Sequence, residues 1–75
     1  MAETYSPELK KLMNIAQDAS LSAVMRSQAI ADIARLGSRQ AFLALLDIAA
    51  DKSADYEIRD QSLVSAREII KTCEK

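Results

Sequence analysis

The sequence predicts an all-α chain of four helices, on three observations: its composition, its helix start and stop signals, and a self-similarity at 33 residues. Thirteen alanines, eight leucines and seven isoleucines stand against two valines, one glycine and one proline. This is a composition of helix formers, poor in turn residues. Seventy-five residues with a hydrophobic share of 49% form at most one domain, 1–75, and its core is small.

The elements follow in order. At "SPEL" Ser6 caps a first helix, Pro7 suits its first position and Glu8 complements its dipole. Leu9, Leu12, Met13 and Ala16 repeat at i, i+3, i+4 and i+7, which gives one apolar stripe. After "DASLS", Ser20 or Ser22 caps a second helix whose inner face is expected to carry Met25, Ala29, Ile33 and Leu36. Gly37, the only glycine, stops it in the left-handed conformation. Ser38 caps the third helix at once, so the second and third must turn sharply and pack as neighbours. The third, "AFLALLDIAA", is apolar nearly all round and is expected to be central. The loop "DKSAD" leads to a fourth helix capped by Ser53 or Asp55. Its stripe takes Ser62 or Leu63, then Ala66, Ile69 or Ile70, and Cys73.

Shifted by 33 residues, the two halves align without a gap. Leu12 falls on Leu45, Ile15 on Ile48, Ala16 on Ala49, Asp18 on Asp51, Ser20 on Ser53, Arg26 on Arg59 and Gln28 on Gln61. Conservative pairs include Leu9 with Phe42, Met25 with Ile58, Ile30 with Leu63 and Leu36 with Ile69. The matches concentrate on the stripes and the loops, the pattern of a duplicated helix–turn–helix unit.

The run "MRSQAIADIARLG", preceded by an apolar helix and an Asp-containing loop, resembles the HEAT repeat. In length it is similar to the short HEAT-like units of the phycobilin lyase group. The resemblance covers two repeats, about 7–37 and 38–73. The second, "IRDQSLVSAREII", keeps the Ile-Arg pair but has Ser62 where the family favours alanine, and it lacks the closing Leu-Gly. The implied fold is a minimal α–α superhelix. The resemblance also implies a structural ladder in which the loop aspartates, Asp18 and Asp51, hydrogen-bond to Arg26 and Arg59. A planar guanidinium with five donors suits that role. Arg26 is then part of the frame, and its replacement by alanine is expected to cost roughly 1–3 kcal/mol through an orphaned partner.

Residues that carry chemistry are few. The chain has no histidine, one cysteine and one glycine. This argues against a zinc set, a Cys–His pair and a phosphate loop, and no catalytic residue, metal site or cofactor is expected. Cys73 reads as a small hydrophobe. Asp47 and Asp51 lie at i and i+4, more in keeping with a solvated helix edge than with an acid–base pair. Tyr5 and Tyr56 each stand at a helix start, suited to packing or to partner contact.

Net charge is −1, with both signs interspersed, and the pI near 5.3 argues against nucleic acid. The longest apolar run, "AFLALL", is too short for a membrane span, and "MAETYSPELKK" lacks the order of a signal peptide. A cytoplasmic, reduced setting is expected. The leading expectation is a non-enzymatic protein-interaction or scaffold module, with another protein or a second copy as partner. About three stacked repeats normally make a self-sufficient core, and this chain has two. Its candidate partner surface is Tyr56 with Arg35, Arg39 and Arg67. Two further readings are an accessory role in bilin attachment, implied by the resemblance, and a small nucleic-acid-binding repeat protein.

Overall fold

The computed structural model describes residues 5–73, with side chains through Lys71. Four helices, all-α as expected, follow one another: α1 (Pro7–Ala16), α2 (Ala23–Leu36), α3 (Arg39–Ala50) and α4 (Tyr56–Cys73). The local signals determine where they begin. The hydroxyls of Ser6, Ser22 and Ser38 accept from the N–H groups of Leu9, Met25 and Ala41 at 3.3, 3.2 and 3.1 Å. Each satisfies one of the donors left free at a helix start. Ser20 does not cap, because Asp18 holds both its N–H and its hydroxyl. Asp51 holds Ser53 in the same way, which leaves Asp55 to lead into α4, its carbonyl accepting from Arg59 N–H at 3.0 Å. Gly37 ends α2 at φ +62°, in the left-handed region where a Cβ is strained.

The helices pack as two hairpins, α1 with α2 and α3 with α4, joined where α2 lies against α4 and α3; α1 meets α3 more lightly. The core draws on all four: Leu9 and Ala16; Ala29, Ile30 and Ile33; Ala41, Ala44, Leu45 and Ile48; Ile58, Ala66 and Ile69. Helix α3 is buried over a wide arc, with Phe42 and Leu46 packed beside its buried residues, as its apolar run suggested. On α4 the open alternatives resolve to Ser62, Ala66 and Ile69 inside, with Leu63 and Ile70 outside. The side chain of Cys73 lies outside the described residues.

One stripe is corrected. Met25 and Leu36, expected on the inner face of α2, are 48% and 53% exposed, and Ile30 is fully buried instead. Ala29 and Ile33 are buried as expected; because α2 packs on α1 on one side and on the second hairpin on the other, its buried side also takes in Ile30, with Ser27 and Ala34 half-buried beside it. Hydrophobic spacing alone does not report where the neighbours stand. Among the described residues, no helix is long and apolar enough to cross a membrane.

Among the described residues Ser62 is the one polar residue in the core, and its hydroxyl donates to Ile58 O, one turn back, at 2.8 Å. That bond stays within its own helix and orphans nothing when removed. Ser62→Ala is therefore expected to leave stability in urea unfolding unchanged or slightly raised, whereas Leu45→Ala should cost about 2–5 kcal/mol. A large loss in Ser62→Ala would contradict this packing.

Candidate functional site

The polar residues that the sequence placed in a ladder form two loops with the same bonds. Asp18 accepts from Ser20 N–H at 3.0 Å and from its hydroxyl at 2.7 Å. Asp51 accepts from Ser53 N–H and hydroxyl at the same two distances, and also from Gln17 Nε2 at 3.1 Å. The hydroxyl, then the N–H, of Ser20 holds the Asp18 carboxyl below its ordinary value, and Ser53 does the same for Asp51. Each loop is closed by a backbone bond from the residue three beyond the aspartate, Leu21 and Ala54, at 3.0 and 3.1 Å.

The arginines bond elsewhere, which corrects the expected ladder. Arg26 Nη1 pairs with Asp55 Oδ2 at 2.8 Å, and Arg59 Nε donates to Ala49 O at 2.8 Å. Each aspartate is already engaged by the serine two residues on, so the guanidiniums act on it only at longer range, as minor contributors to its lowered pKa. The Arg26 side chain is 12% exposed and its buried Nε has no hydrogen-bond partner, while Asp55 is 65% exposed.

Polar links cross from the first hairpin to the second. Two start just before α1, Tyr5 Oη to Asp47 and Ser6 N–H to Gln40 Oε1 at 3.3 Å, and three lie farther along the chain. These three are Gln17 to Asp51, Arg26 to Asp55, and a reciprocal pair between α2 and α4. In that pair Ser27 Oγ donates to Gln61 Oε1 at 2.8 Å and Gln61 Nε2 donates to Ser27 O at 3.3 Å. Sequence reasoning missed Gln17 and Ser27, and it read Asp55 only as a helix cap and Gln61 only as the repeat match of Gln28. The match of Gln28 to Gln61 was a signal, but the partner of Gln61 is the residue before Gln28. Asp47 accepts from Tyr5 Oη at 2.7 Å, while Asp51 is engaged by Ser53 and Gln17. Among the described residues, no group of three or more His, Cys, Asp or Glu side chains is placed to hold a metal.

The candidate partner residues do not converge on one spot. Tyr56, 81% exposed, shares a shallow groove between α3 and α4 with Ala49, Arg59, Asp60 and Leu63. Arg67 lies with Val64, Ile70 and Lys71 farther along α4. Arg35 pairs with Asp32 on its own helix and borders Gly37, and Arg39 is exposed at the start of α3. Among the described residues, the large exposed hydrophobic ones are Val24, Met25 and Leu36 on α2, Tyr56, Leu63, Val64 and Ile70 on α4, and Ile15 on α1. Compared with protein-family models, curated proteins and solved structures, the chain matches none of them.

Because Asp55 is solvated and survives the loss of its partner, Arg26→Ala should cost about 1 kcal/mol or less, the low end of the expectation from sequence. Loss of the packed Arg26 stem is the main contribution. Urea unfolding of Arg26→Ala beside Asp55→Ala checks it. A loss of more than about 3 kcal/mol in Arg26→Ala would show a buried ionic role that the geometry does not provide.

Proposed function

We propose that the chain is a non-enzymatic protein-interaction module, built as two HEAT-like helical hairpins and working in the cytoplasm. One observation carries this reading: among the described residues, the large apolar side chains left exposed lie on α2 and α4, with Ile15 the exception on α1. Isolated exposed hydrophobic residues are ordinary, but a set concentrated on one pair of helices marks a surface that gains by being covered. The polar residues that might have served chemistry are engaged in the frame. Asp18 and Asp51 close loops, Arg26 and Asp55 tie the hairpins together, and Gln61 is bonded on both atoms of its amide. A rigid frame with an apolar pair of helices suits presentation of a surface.

A photo-cross-linking residue at Val64, beside the same residue at the exposed Lys10 of α1, tests the reading in native extract. Val64 should give protein adducts of discrete mass and Lys10 only background. Equal labelling at the two positions would overturn the module.

A further inference from the structure

One face of α4 carries both halves of a complementary pattern. Tyr56, Arg59, Asp60 and Leu63 fall at i, i+3, i+4 and i+7, and all four line the groove between α3 and α4. Arg59 spends its Nε on Ala49 O and makes no ion pair within 4 Å among the described residues, acting on Asp51 only at longer range. Asp60, exposed, has no cationic partner there either. A positive and a negative residue therefore stand side by side, between an exposed tyrosine and an exposed leucine.

We propose that this face binds a second copy of the chain, front to front about a two-fold axis, a proposal that rests on the interaction-module reading above. With the two α4 helices antiparallel, Arg59 meets Asp60 of the second copy and Asp60 meets its Arg59. The same register lays Tyr56 over Leu63 of the second copy, because Tyr56 and Leu63 are centred on the point between Arg59 and Asp60. Such self-complementarity is the requirement of an isologous interface. A partner surface of a single sign would leave one of the two ionic residues facing its own sign, whereas a second copy supplies both signs in register.

The opposite end of the molecule argues against head-to-tail stacking. Where α3 buries Ala41 and Ala44 completely, the positions 33 residues earlier on α1 are the exposed Glu8 and Lys11. Charges at that end keep it in water and terminate the stack there, as in capping repeats. The contact covers about two turns of one helix per copy, a small interface, so the dimer is weak and forms only at high concentration.

Sedimentation equilibrium over a wide concentration range tests this with charge variants of the whole chain. The unaltered protein should approach twice the monomer mass at the highest concentrations. Asp60→Arg places two positive residues on the face and Arg59→Asp two negative ones, so each alone should stay monomeric. An equimolar mixture of the two should restore the dimer. Leu63→Lys should be monomeric with unchanged helicity, and together with Asp60→Arg it decides the matter if Arg59→Asp loses its fold. A monomeric unaltered protein, a mixture no larger than its components, or self-association of Asp60→Arg or Leu63→Lys would each overturn the proposal. A monomer that still cross-links through Val64 removes the second copy and leaves the module standing; loss of those adducts removes the module itself.

Discussion

The fold depends on the seam between its two helical hairpins, because a single hairpin of some thirty residues has no second layer against which to bury its apolar side. Helix α2 sits at this seam, against α1 on one side and α3 and α4 on the other. Its Ile30 and Ile33 are fully buried, as are Ala41, Ala44, Leu45 and Ile48 of α3. Apolar burial supplies the stabilisation. The polar links across the seam supply register: each is partly or wholly solvated and contributes little energy on its own. Three of them, at separations of 34, 29 and 34 residues, permit one sliding position of hairpin on hairpin.

This division of labour explains what surface remains. The apolar residues that face the seam are consumed by it, and those turned away from it, Met25 and Leu36 on α2 and Leu63 and Ile70 on α4, are left outward. The exposed set on α2 is thus a consequence of how that helix is turned, and its chemistry differs from that of the surface of α1. There Glu8, Lys10 and Lys11 are all exposed.

Local features were legible in the sequence. Ser6, Pro7, Gly37 and Ser38 act through bonds and backbone conformations spanning at most four residues, so their positions alone place three helix ends. Features that depend on a neighbour were not. Met25 and Leu36 fit an amphipathic stripe as well as Ile30 does, and only the position of the second hairpin separates them. Likewise the 33-residue match located Asp18, Asp51, Arg26 and Arg59 but not their bonds, because Ser20 and Ser53 are closer competitors for the carboxylates. Tyr56 was recognisable as a surface residue by its place at a helix start. Asp60 and Leu63, which complete the same face, carry no such mark in the sequence.

Native-state hydrogen exchange with increasing denaturant tests most directly the claim that the seam makes the two hairpins one unit. If neither hairpin is stable alone, the core amides of Ile33 in α2 and Ile48 in α3 should exchange only through global unfolding, with one free energy and one denaturant dependence. Exchange of the α1–α2 amides through a separate opening of lower free energy, while α3 and α4 stay protected, would contradict it.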